Sequence, residues 1–234
     1  MGRPDHIRIL SAGAPKEGVR RCAEVFKEKS GADVAIEFAT APVIHERVIG
    51  GCANADIVVA PNAAMAGFAE GRQVIADSIS VLGSIAAGVA VRDGSPEPDL
   101  SGVESFRDAL LAVDSLIYNR ASSGRSIEAM IDSLGIADAV ADKTVRVATG
   151  AAVMEYLAGD KRARNIGFGQ ITEIRLHEHL GVHLVGPLPA EVAKVTTYAA
   201  GVFSNASQPE RAASLVAFMA SPEGKRIFAE TGVT

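Results

Sequence analysis

SLIYNRASSGRSIEAMIDSLG, residues 115–135, is the stretch on which the fold turns. Ser115–Tyr118 is a short apolar run of strand-forming residues. A polar turn, Asn119-Arg120-Ala121-Ser122-Ser123-Gly124, follows it. Ile127, Met130, Ile131 and Leu134 then recur at helical spacing until Gly135 stops the pattern. A strand that feeds a helix through a tight hydroxyl- and glycine-rich turn is one half of a βαβ unit, so the chain reads as an α/β protein with a mainly parallel sheet.

The same rhythm extends in both directions. Further strands are expected at His6–Leu10, Asp33–Phe38, Asp56–Ala60, Ser80–Val91, Thr144–Val147, Asn165–Phe168, Val182–Val185 and Val195–Phe203. Runs such as Ile57-Val58-Val59-Ala60 have no polar alternation, as in strands covered on both faces. Helices are expected over Glu17–Lys29 (stopped near Gly31), from Pro42 to Gly50, after an Asn62 cap, after a Ser123 cap and from Ser221-Pro222. Ser101 with Glu104 and Ser207 with Glu210 have the spacing of capping boxes. Two long β-like runs, Ser80–Val91 and Val195–Phe203, break the rhythm. They read either as crossings between two lobes or as two longer strands of a single sheet. On the two-lobe reading, residues 1–85 with 199–234 form one lobe and 86–198 the other.

Composition narrows the function. The chain has 234 residues, 48% hydrophobic and 22% charged, with a formal net charge of −5 and no Trp. Mild acidity and few aromatic residues argue against a nucleic-acid partner. No run reaches the roughly 18 apolar residues of a membrane span. Residues 1–9 read as polar residues entering a strand, without the apolar core of a signal peptide. Cys22, beside Val19 and Phe26 on a helix face, reads as a buried thiol, and two cysteines leave the redox compartment open.

The turns after the strands carry the chemistry. Leu10-Ser11-Ala12-Gly13-Ala14, Phe38-Ala39-Thr40-Ala41-Pro42 and the 119–124 turn each place small or hydroxyl residues at a helix start. Unpartnered amides and the helix dipole suit such starts to anions. In a parallel sheet all three would lie at the carboxyl edge of the strands. Thr149-Gly150-Ala151-Ala152-Val153 offers another helix start, and Gln170 or Thr172 could reach a ligand oxygen. Arg120 and Arg125 flank the Ser-Ser-Gly turn, and either one turned inward would favour a carboxylate ligand. His177, His179 and His183 invite a metal reading, but His177 and His179 are expected on different sides of a helix with no completing ligand. No G-x-S-x-G elbow or P-loop is present. Neither metal nor cofactor is expected.

Leu10-Ser11-Ala12, Phe38-Ala39-Thr40-Ala41 and Ala55-Asp56-Ile57-Val58-Val59-Ala60 together resemble the molybdate-binding branch of the bacterial solute-binding proteins. Ser123-Gly124 before Leu134-Gly135-Ile136, and Met219-Ala220-Ser221-Pro222-Glu223-Gly224, continue the resemblance. It implies a two-lobed type II periplasmic-binding fold, with two crossover strands as a hinge that closes on a small anion. It implies hydroxyls from Ser11 and Thr40 on one lobe and amides of Ser123 and Val153 on the other. Ala12, Ala41, Asn119, Ser122, Gly124, Arg125 and Gln170 complete the expected ligand-binding set. Gln170 stands where the molybdate binders carry a Tyr, and Ser122 and the two arginines lie outside their pattern. The ligand is therefore expected to be an oxyanion or a small carboxylate. The implied protein is a monomeric periplasmic component of an ABC importer, with a permease as partner, or a cytoplasmic protein if Met1 is the native start. Two alternatives stay open. One is an enzyme on a small polycarboxylate, since a related branch includes aconitate isomerase, with Glu173, Glu191, Tyr118 or a histidine as base. The other is a cytoplasmic ligand sensor.

Overall fold

The computed structural model describes residues 6–234, the side chain of residue 122 excepted. Most of the expected polar lead-in, residues 1–5, lies outside the described residues. Two compact units emerge. One comprises the described part of Met1–Ile85 together with Thr196–Thr234, and the other is Ala86–Val195.

In the first unit, β1 (His6–Ala12), β2 (Asp33–Ala39) and β3 (Ile57–Pro61) run parallel in the order β2-β1-β3. The antiparallel strand β9 (Val195–Val202) closes the row beside β3. Helices α1 (Lys16–Ser30), α2 (Ala41–Ile49) and α3 (Asn62–Glu70) follow the three parallel strands. Residues 57–60 are all buried, as their unbroken apolar run predicts. After β9 the chain adds α9 (Pro209–Ala220) and α10 (Pro222–Glu230). α10 packs so closely on α1 that a Cβ on Gly18 would lie 2.2 Å from the Phe228 ring.

The second unit repeats the plan. Strand β4 (Ser80–Arg92) carries the chain from the first unit into the second between Ile85 and Ala86. Then come α4 (Val103–Leu111), β5 (Ser115–Asn119), α5 (Ser122–Ser133), α6 (Ala137–Val140), β6 (Thr144–Val147), α7 (Gly150–Gly159), β7 (Asn165–Gln170), α8 (Ile171–Leu176) and β8 (Val182–Pro187). β7, β5 and β6 lie parallel in that order, while β4 is antiparallel to β7 and β8. Along β5 the side chains alternate. Leu116 and Tyr118 join a core with Phe106 and Phe168, and Ile117 joins another with Val153, Met154 and Leu157. That period of two, apolar on both sides, marks a strand covered by helices on both faces.

The strands and helices stand where the sequence places them, but several caps do not. Ser101 and Glu104 form no capping box: α4 starts after Gly102 without a side-chain cap. Ser207 and Glu210 form none either, because the Ser207 hydroxyl donates to Asp56 Oδ1 at 2.7 Å. Asn62 is the first helical residue of α3, with Pro61 at the cap position. Ser221 does cap α10, accepting from the Gly224 amide at 3.2 Å. Serine hydroxyls have several local partners open to them, and tertiary contacts decide among these.

Cys22 is fully buried and Cys52 is exposed. Burial, with Glu223 nearby, pushes the Cys22 thiol up to about 12. Because the thiolate is the reactive form, a native sample should react with one equivalent of an aromatic disulfide reagent at pH 8, and with a second only after unfolding. Two fast equivalents in the native protein would contradict this packing.

Candidate functional site

Parallel strands end on one edge, and in each unit that edge gathers helix starts. In the first unit, the register pairs Ala12 of β1 with Ala39 of β2. Ser11-Ala12 and Thr40-Ala41 therefore stand at neighbouring strand ends. Ser11 and Ala12 are buried, and the Ser11 hydroxyl donates to the Ala12 carbonyl at 3.0 Å. Thr40 occupies the cap position of α2 in extended backbone, and its side chain makes no capping bond. Pro42 has no N–H, so the first turn of α2 presents the amides of Ala41 and Val43. Ile44 N already donates to Thr40 O at 2.9 Å.

In the second unit, β7, β5 and β6 bring Gln170, Asn119 and Val147 to one edge, and α8, α5 and α7 begin there. Asn119 is 3% exposed and caps α5, a role expected of Ser123. Its Oδ1 accepts from the Ala121 amide at 2.8 Å and the Gly124 amide at 3.3 Å, and its Nδ2 donates to Ser123 Oγ at 2.9 Å. The helix begins two residues earlier than the Ser123 cap implies, with Ala121 at the cap position. Ser123 lies four positions after Asn119, so a cap reaching back into the strand has no short sequence signature. Gly124 fits here because its Cα lies against the Asn119 carbonyl. The expected hydroxyl of Ser122 lies outside the described side chains, while Arg120 and Arg125 are exposed.

Val153 departs from its expected role. Thr149 caps α7, its hydroxyl accepting from Ala152 N at 3.1 Å, and Val153 N closes the first helical bond on Thr149 O at 3.2 Å. The Val153 side chain is buried in the core. The amides that helical geometry leaves over are those of Gly150 and Ala151. Above them sits an acid: a Cβ built on Gly150 would fall 1.9 Å from Glu173 Oε2 and 2.8 Å from Oε1. Glu173 belongs to the first turn of α8. The sequence names it only as a candidate base, and the one signal of its position is a glycine in the first turn of α7.

Gln170 ends β7 and holds the cap position of α8 without a capping bond. It is 4% exposed, and its Oε1 is buried with no hydrogen-bond partner. Thr172 is also buried, two residues into α8.

The histidines behave otherwise than expected in one respect. The His177 and His179 rings stack at 6.1 Å instead of facing apart, because α8 ends at Leu176 and residues 178–180 form a tight 3-10 turn. His183 bridges Asp93 and Glu97, and those hydrogen bonds raise its basicity against the opposing effect of burial. Among the described residues no three His, Cys, Asp or Glu side chains cluster to hold a metal. Two surface cavities, of about 220 and 280 Å³, are lined by residues such as Arg72 and Ser204, or Pro96 and Arg164, and include none of the candidate residues. Among the described residues no helix is long and apolar enough to cross a membrane.

Comparison with known proteins agrees with this architecture. The periplasmic molybdate-binding protein of Azotobacter vinelandii superposes with a TM-score of 0.79 at 11% identity, over 98% of this chain and 99% of that one. The sulfate-binding protein SubI from Mycobacterium tuberculosis superposes with a TM-score of 0.77 at 16% identity, over 98% of this chain and 86% of that one. Among curated sequences, aconitate isomerase from a Pseudomonas species is 24% identical over 233 residues, 97% of this chain and 87% of that protein. The fold is the type II periplasmic-binding fold. The model of the family described as bacterial extracellular solute-binding protein matches residues 7–234, and the chain belongs to that family.

Proposed function

We propose that the protein is the receptor of an ABC-type importer, working outside the cytoplasmic membrane and closing around a small anion, either a molybdate-like oxyanion or a small carboxylate. The observation that carries this reading is the family match together with helix starts gathered at the carboxyl edge of parallel strands in each unit. Such starts supply N–H donors and positive dipole ends with no need for a basic side chain. The net charge of −5 does not oppose it, because aimed amides act at short range and diffuse surface charge is screened.

A thermal-shift panel of molybdate, sulfate, phosphate, succinate, malate, tricarballylate, citrate and aconitate tests it. A ligand at one hundred times its dissociation constant stabilises by about 2.7 kcal/mol. For a chain of this size that raises the melting temperature by roughly 5–11 °C. If no anion in the panel shifts the transition, the reading fails.

The aconitate isomerase relative supports a second reading, an isomerase of a small unsaturated polycarboxylate. Its base in this reading is Glu173, whose carboxylate lies over Gly150 at the start of α7. Proton NMR of the aconitate sample separates the two: interconversion of its cis and trans isomers supports the enzyme, and binding without turnover supports the receptor.

A further inference from the structure

Two acceptors stand at the start of α8, where an anion site calls for donors. Gln170 Oε1 is buried and unpartnered, on a residue 4% exposed. A buried acceptor left without a donor is costly, so a bound state that supplies one is favoured. Three residues on, the Glu173 carboxylate fills the space over Gly150 that any side chain there would take. It therefore brings negative charge to the positive end of the α7 dipole, beside the amides of Gly150 and Ala151. A carboxylate has about four lone-pair positions and accepts several bonds at once.

These features constrain the ligand. A fully deprotonated tetrahedral oxyanion presents only acceptors, so it leaves Gln170 Oε1 unpartnered and meets like charge at Glu173. An unsubstituted dicarboxylate does the same. A hydroxyl on the ligand reverses both effects, because it can donate to the amide oxygen or, in a charge-assisted bond, to the carboxylate. We propose that Gln170 and Glu173 make this end of the site a hydrogen-bond acceptor that selects hydroxycarboxylates over bare oxyanions and over carboxylates lacking the hydroxyl. The proposal rests on the anion-binding reading above and specifies its ligand class.

Isothermal titration of the full chain with matched pairs, malate against succinate and citrate against tricarballylate, tests it, with sulfate alongside. The wild type should bind the hydroxylated member of at least one pair tenfold or more tighter. Glu173→Gln should cut that preference below about threefold and tighten sulfate at least fivefold. Gln170→Leu, which removes the acceptor without changing charge, should also narrow the preference, and it carries the test if Glu173→Gln does not fold. Equal affinity for both members of each pair overturns this inference and leaves the anion reading standing. So does an unchanged preference in the folded variants. If no panel member binds, the anion reading falls first and this one with it.

Discussion

Asp56→Ala should cost about 4 kcal/mol of stability and lower the melting temperature by roughly 8–16 °C, the largest single-residue loss expected in the first unit. The Asp56 side chain is fully buried at the entrance to β3. Its Oδ2 accepts from the Arg8 amide at 2.8 Å and from Arg8 Nε at 3.5 Å, and its Oδ1 accepts from the amide and hydroxyl of Ser207, each at 2.7 Å. Its own main chain bonds Arg8 O and the Phe203 amide. One residue thus ties β1, β3 and the segment between β9 and α9. Removing it strands two part-buried amides and leaves the Arg8 guanidinium without its carboxylate. Burial by itself would raise the Asp56 pKa, but the Ser207 and Arg8 donors outweigh it, so the carboxyl lies below its ordinary value of 3.8. A folded-state pKa below the unfolded one means stability that is present above about pH 4 and lost as pH falls through the folded value. The gap between wild type and Asp56→Ala in urea unfolding should therefore be full at pH 7 and shrink below pH 4. Asp56→Asn should not rescue it, since its NH2 faces donors. A variant that melts within 2 °C of wild type at pH 7 would show that this cluster does not hold the unit together.

Asp56 also marks how far the sequence could be read. Its neighbours Ile57–Ala60 announce a covered strand through local pattern, and all nine strands among the described residues were legible in that way. The partners of Asp56 were not, because Ser207 lies 151 positions away and looks locally like part of a capping box. Each misplaced cap has the same cause. Ser101, Ser123 and Ser207 satisfy short-range rules that several geometries meet equally well, and packing chose another. Within the candidate site, strand-end turns were legible because strand and helix periods change there. Which amides remain open was not, since it depends on whether the cap falls at Thr149 or one residue later. That single-residue difference turned Val153 from an expected donor into a core residue. Glu173 over Gly150 left only that glycine as a trace, because the contact joins the first turns of two helices that share no local motif.

Gly124→Ala should abolish most anion binding and destabilise the second unit by about 3 kcal/mol, the upper end for forced overpacking. A Cβ at this position would lie 1.6 Å from the Asn119 carbonyl oxygen and 2.6 Å from its carbon. Both are main-chain atoms of β5, which is paired on one side with β6 and on the other with β7. No rotamer change relieves such an overlap. The start of α5 must leave the strand end, which breaks the bonds from the Ala121 and Gly124 amides to Asn119 Oδ1. The remaining amides of that turn move with them. Two lost donor bonds to a ligand, at roughly 1–1.5 kcal/mol each, weaken binding by about 30- to 140-fold. Gly67→Ala is the matched control. Its position on α3 is open, with nothing within 4 Å of a new Cβ, so replacing a helical glycine there should stabilise by about 0.5–1 kcal/mol. Titration of whichever panel anion binds wild type separates the two variants. If Gly124→Ala binds and melts as Gly67→Ala does, the start of α5 is not held against β5, and its amides lose their claim to the ligand.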